Sequence, residues 1–182
     1  GRASGDISNC ENHAIVNGRF YVGGVVGSHM QVNNSITSCA NYGVVTGTGN
    51  SVGGIAGGYV SGTIQNCANY GDITGAEIVG NLIGDGSICN LNNVLGTGNV
   101  TSTATSIGYA GILVGGINSS SGTASGILAY NSSAKLTINK IEQTGNAVKA
   151  IGKGSLTYPE KIKAFTAEQL KNGEVAYLLN GS

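Results

Sequence analysis

The chain has 182 residues, including 32 glycines, one proline and four cysteines, and it is 10% charged and 40% apolar. The apolar fraction excludes disorder, and the lack of a strict every-third-residue glycine period excludes a collagen-like rod. Nine basic residues balance nine acidic ones, with no dense basic run of the nucleic-acid-binding kind and no apolar run near the ~20 residues of a membrane-spanning helix.

From the N-terminus the chain repeats itself. "ISNCENHAIVNG" (7–18) returns as "ITSCANYGVVTG" and "IQNCANYGDITG", which places Cys10, Cys39 and Cys67 at spacings of 29 and 28. An isoleucine stands three residues before each cysteine (Ile7, Ile36, Ile64) and an asparagine two after (Asn12, Asn41, Asn69). Val16, Val45 or Ile73 follows, then Gly18, Gly47 or Gly75. Each unit closes on a second block, "GGVVG" (23–27), "GGIAG" (53–57) or "GNLIG" (80–84). A worn fourth copy reads "ICNLNN", with Leu91 in the cysteine place and Asn93 in the asparagine place, and closes on "GILVG" (111–115). Unit length varies just before and just after the second block.

Repeats of this length stack into solenoids, each unit burying its apolar face on its neighbours. Short β-branched runs bounded by Gly, Asn and Ser predict strands, and so much glycine argues against helical repeats. The expected fold is all-β: a parallel β-solenoid, right-handed β-helix-like, with about one coil per unit of roughly 24–29 residues. Strict alternation would put Ile and Cys of "I-x-x-C" on opposite faces, so an inward-facing pair needs a bend, for which Asn9 and Asn66 are suited. The asparagines of "C-x-N" are expected to form an amide ladder like the stacked side chains of cross-β assemblies.

Beyond the repeats, 117–134 reads as a loop with one further strand, and "KLTINKI" as a half-exposed strand. Thr166 with Gln169 fits a capping box, Glu168 suits the first helical turn, and Gly173 is placed to end it. A second helical piece is expected over "EVAYLLN", giving short helices in 166–180. Charge divides along the chain. Residues 1–134 carry net −3, and residues 135–182, with seven lysines against four glutamates, carry +3. We therefore read 1–116 as the solenoid and 117–182 as a region capping its open end. No charged start with an apolar stretch marks a signal peptide, and the chain opens in mid-pattern, as a piece of a longer protein would.

At the "GGVVG", "GGIAG", "GNLIG" and "GILVG" blocks, with their "NCxNxGxVxG"-like lead-ins, the chain resembles the GLUG-repeat proteins over about 5–116. "FTAEQLKNGEVAYLLNG" (165–181) is similar to a tail that follows such repeats in surface proteins of gut-type anaerobic bacteria. The resemblance implies a secreted or cell-surface location, an adhesin-like role and, in some relatives, attachment to peptidases that cleave immunoglobulin A. It supplies no catalytic residues.

Metal sites usually pair ligands two to four residues apart, so the widely spaced cysteines read as a buried reduced ladder; a disulfide straining one rung and a metal site are the alternatives, and Cys89 breaks the register. Asp72, Glu77 and Asp85 belong to the third unit and would serve glycosidic chemistry if they converged. "GDGSICN" offers Asp85, Ser87 and Asn90 to calcium, without the carboxylate count of a calcium loop. Tyr42 and Tyr70 share one repeat position and read as a structural ladder, while Tyr59 and Tyr109 fall in variable segments suited to stacking on sugars. The expected function is a non-catalytic stalk, spacer or binding module, with no cofactor, no nucleic acid and no membrane insertion by this segment. A host glycan or surface protein is the expected partner, and Tyr59, Tyr109, Asp72, Glu77 and Asp85 are the candidate ligand contacts. The alternatives are a β-helix lyase or hydrolase acting on polysaccharide and an accessory region that positions a peptidase elsewhere in the parent chain.

Overall fold

The computed structural model describes residues 1–29, 32–105, 108–118 and 122–179. Asn180, the end of the expected helical region, lies outside them. The fold is a parallel β-solenoid in which each unit makes one coil. In the second unit the strands are Ser35–Thr37, Ala40–Asn41, Val45–Gly47, Val52–Gly53 and Ala56–Gly58. Each lies parallel between its counterparts in the first and third units: Ile36 between Ile7 and Ile64, Val45 between Val16 and Ile73, Val52 between Val22 and Val79. Five stacks result, two of them joined into one sheet at the long strand Ile83–Asn92, which ends one coil and begins the next, so that the stacks form four sheets.

The bend between Ile and Cys is a single residue in the left-handed region, with φ of 54° at Asn9, 54° at Ser38, 53° at Asn66 and 51° at Asn93. It turns both neighbours inward, so that Ile36, Cys39, Ile64 and Cys67 are all at most 1% exposed. Val45, Ile73 and Val100 stack on the next face of the core, and Val52 and Val79 on the one after. β-Branched side chains suit such rungs because each keeps one rotamer against an identical neighbour.

Register corrects the fourth unit. Leu91 pairs with Ile64, so it holds the isoleucine place, and Asn93, with its positive φ, holds the bend. Leu95 pairs with Ala68 and Gly96 with Asn69, which puts Val94 in the cysteine place and glycine in the asparagine place. Matching Asn to Asn on sequence misplaced the unit, because the bend asparagine resembles the ladder asparagine.

The ladder itself runs through the buried interior. Asn12 Nδ2 donates to Asn41 Oδ1 at 2.7 Å, Asn41 Nδ2 to Asn69 Oδ1 at 2.6 Å, and Asn69 Nδ2 to Asn81 Oδ1 at 2.8 Å. Each amide also closes the turn after it, Asn41 onto the Gly43 carbonyl at 2.7 Å and Asn69 onto that of Gly71 at 2.8 Å. Asn81 comes from the second block of the third unit. Its Nδ2 reaches the Gly98 carbonyl at 2.6 Å, so it completes the rung that Gly96 leaves empty.

Strands continue past residue 117: Thr123–Ala124, Leu128–Asn131, Leu136–Ile138, Ile151–Lys153 and Ile162–Phe165 each add in parallel to an existing stack. Ile141–Glu142 turns back antiparallel on Leu136–Ile138. Two helices follow, α1 (Ala167–Lys171) and α2 (Glu174–Leu179). The capping box is present: the Gln169 N–H donates to Thr166 Oγ1 at 3.2 Å, and the Thr166 N–H donates to Gln169 Oε1 at 2.9 Å. Gly173 separates the helices at φ 86°. The small helical end packs on the flank of the solenoid. Val175, Leu170, Leu178 and Leu179 cover Leu95 and Ala129, which point outward from their stack. That outward apolar row draws them to the side.

Candidate functional site

The structure divides the five candidate residues and does not gather them all at one place. Asp72 is a turn brace: its Oδ1 accepts from the Asn99 backbone N–H at 2.8 Å and from Asn99 Nδ2 at 3.1 Å. Asp6 braces a different row in the same way, its Oδ1 accepting from the Ser35 N–H at 2.7 Å. Glu77 is exposed just before the strand Ile78–Gly80, and its backbone carbonyl accepts from the Tyr109 N–H at 2.7 Å. The three acids therefore stand on three separate elements, and the convergence that glycosidic chemistry would need is not seen. Asp85, Ser87 and Asn90 all lie along the strand Ile83–Asn92, not in a loop that wraps an ion. Among the described residues no three or more His, Cys, Asp or Glu side chains gather as metal ligands.

Tyr59, Tyr109 and Asp85 are linked in space. Tyr21 Oη donates to Tyr59 Oη at 3.2 Å, with ring centroids 4.9 Å apart. The hydrogen bond to Tyr59, then burial, then nearby Asp85 raise the Tyr21 phenol above its ordinary pKa. Asp85 is only 6% exposed and accepts a hydrogen bond from Asn118 Nδ2. Burial raises its carboxyl pKa, and Lys153 pulls it part of the way back. Gly116 stands in register between Asp85 and Lys153, and its missing side chain lets the two interact across the rung. Lys153 Nζ sits 4.7 Å from the centroid of the Tyr109 ring, at cation–π distance. Sequence reading missed Lys153 and Asn118 because both lie one coil or more away from the residues they serve, and only register reveals them.

Two concavities flank these features. A hollow of about 350 Å³ lies beside Tyr109, with Ile138, Gln143 and Lys149 among its walls. On another face, a cleft of about 310 Å³ lies between Tyr70, Ala68 and Leu95 of the solenoid and Leu170, Val175 and Leu179 of the helices. Tyr70 ends an outward stack: His13 lies on Tyr42 at 4.6 Å and 6°, and Tyr42 on Tyr70 at 4.9 Å and 8°. Ring on ring, this row is the structural ladder expected for Tyr42 and Tyr70, extended by His13 where the first unit departs from Tyr.

The cysteines are free thiols, with Cys39, Cys67 and Cys89 buried and Cys10 exposed on the first rung. Cys39 Sγ donates to the Thr37 carbonyl at 3.3 Å and Cys67 Sγ to that of Gln65 at 3.2 Å. Burial pushes Cys67 and Cys89 up to about 12, which favours the thiol over the nucleophilic thiolate. Cys89 stands opposite Gly62 in the strand that starts the fourth coil, which explains its departure from the cysteine spacing.

Among the described residues no helix is long and apolar enough to cross a membrane. No protein-family model matches the chain, and no curated protein matches it. Among solved structures it is similar to the crystal structure of a "putative immunoglobulin A1 protease" from Bacteroides ovatus, at 24% identity and a TM-score of 0.69. The likeness covers 97% of this chain and 53% of that one, so the chain spans about half the length of its structural relative. At this identity the likeness shows the fold alone.

Proposed function

We propose that this chain is a non-catalytic, GLUG-type segment of a bacterial cell-surface or secreted protein, serving as an adhesin-like stalk and binding module for a host glycan or surface protein. The observation that supports it is the exposed pair of Tyr59 and Tyr21, whose rings a stiff parallel stack holds outward at 4.9 Å. Register sets the position of such side chains, so binding needs little ordering of the protein. The test is a glycan and host-protein array probed with the full chain. Binding that falls at least ~10-fold in Tyr59→Ala supports the module, and silence across a broad panel leaves only the stalk. The half-length likeness to a protein described as an immunoglobulin A1 protease favours a second reading, in which the segment positions a peptidase carried elsewhere in a longer parent chain. Deleting the segment from such a parent, and finding cleavage of a small peptide intact but cleavage of the whole protein substrate lost, would select that reading.

A further inference from the structure

The coils differ most in one place. The connection from the Val16–Gly18 row to the Val22–Gly23 row has three residues in the first coil, four in the second and two in the third. In the fourth, six residues separate Ser102 from Tyr109. In the next turn the stretch after Ile138 is long enough to hold the Ile141–Glu142 strand and a 3-10 turn at Gly145–Ala147. Insertions in solenoids gather on one face, often the binding face, and here the two long connections fall in successive turns. The hollow of about 350 Å³ takes its lining from the described ends of both, with Gly108 and Tyr109 from the one and Gln143, Ala147 and Lys149 from the other. Gly108, Ala110, Ala147 and Gly152 are the small residues of its lining. Lys153 fixes Tyr109 from 4.7 Å and adds a second positive charge. The nearby acids are the buried Asp85, which faces Lys153, and the exposed Glu77 one coil back; Glu142 is held by Lys135 at 3.0 Å.

We propose that this hollow binds a carboxylated sugar, a hexuronate or a sialic acid, with its ring against Tyr109, its carboxylate toward Lys149 and its hydroxyls within reach of the Gln143 amide. An aromatic ring beside a polar amide suits a sugar ring, and the lysines supply charge complementarity for the acid. The proposal rests on the reading of the chain as a binding module, and adds to the Tyr59–Tyr21 pair a second site with its ligand class.

The experiment titrates the full chain with methyl β-D-glucuronide, the methyl α-glycoside of N-acetylneuraminic acid and methyl β-D-glucoside, following backbone amide NMR shifts. One or both acidic sugars are expected to shift Gly108, Tyr109 and Lys149 with a Kd on the order of 1 mM, the scale for a ligand of this size. The neutral glucoside is expected to bind at least ~10-fold more weakly, and ~0.5 M salt to weaken the acids. Lys149 is exposed, so Lys149→Gln should keep the wild-type spectrum while weakening acid binding at least ~5-fold, and Tyr109→Phe should retain binding. Equal binding of acid and neutral sugars, an unchanged Lys149→Gln, or shifts that map to the Tyr70 cleft would each overturn the site. So would an acidic dipeptide that competes as well as the sugars. No shift with either acid overturns it too, while a positive glycan array would keep the binding-module reading.

Discussion

The third and fourth coils solve the same problem with exchanged parts. In the third, the buried amide is Asn69 and the residue facing it is Gly54, where a Cβ would stand 2.2 Å from the Asn69 Cγ. In the fourth, the amide is Asn81, from the block that carries glycine in the first two units, and the residue facing it is Gly96, where a Cβ would stand 2.6 Å from Asn81 Oδ1. Each level of the interior therefore holds one amide and one missing side chain, and either segment can supply either part. The amide is held by the hydrogen-bond chain and the local space, not by its place in the repeat.

The largest effect should come from breaking that chain at its centre. Asn69→Leu keeps the branched shape but removes the partner of Asn41 Nδ2, of Asn81 Oδ1 and of the Gly71 carbonyl, all buried. At ~1–3 kcal/mol for each orphaned group, the loss should be on the order of 4 kcal/mol, read as a lowered urea midpoint with an unchanged slope. The exchange predicts a second, more specific result. Asn81→Gly empties a rung and Gly96→Asn overfills one, so each should destabilise by ~2 kcal/mol. The double variant rebuilds the pattern of the third coil and should recover at least ~1 kcal/mol of the summed loss, within the usual range for residues in contact. Strict additivity in that cycle would sink the idea of a shared site.

How much of this was legible in the sequence follows from what a repeat can signal. Three copies in register gave the strands, the inward cysteines, the bend at Asn9 and Asn66, and the amide ladder, because identical residues stacked on each other state their own environment. The capping box at Thr166 and Gln169 was equally plain, since its hydrogen bonds span three residues. The fourth coil was misaligned because its ladder residue, Gly96, is glycine and its amide, Asn81, lies fifteen residues earlier, so no local match existed. The hollow beside Tyr109 was hidden for the same reason. Lys149 and Lys153 look like surface charges until register sets them beside a tyrosine some forty residues before them.

The cysteines sharpen the comparison from another side. Cys39 and Cys67 lie in the rungs and Cys89 outside their register, yet all three are buried, while Cys10 is exposed. Iodoacetamide at pH 8 should alkylate Cys10 within minutes and leave the other three unmodified until denaturant is added, as peptide mass spectrometry would read. Fast labelling of Cys89 in the folded chain would mean that the start of the fourth coil opens more readily than the rungs beside it.

The smallest effect concerns charge. The repeated rungs bury neutral amides, whereas the join of the third and fourth coils buries Asp85, the one carboxylate among the buried polar and charged side chains of the described residues. Its folded-state pKa is raised, chiefly by burial, so the native state holds the proton more tightly than the unfolded chain does. Its contribution to stability is then most favourable below the ordinary aspartate value of ~3.9 and is lost as pH rises through the folded value. Asp85→Asn keeps an oxygen for the Asn118 amide and removes the buried charge. It should raise the thermal midpoint at pH 7, and the gain should shrink as pH falls toward 4. A variant less stable at pH 7 would mean that attraction to Lys153 outweighs desolvation, and the fourth coil would then hold its charge as firmly as the third holds its amide.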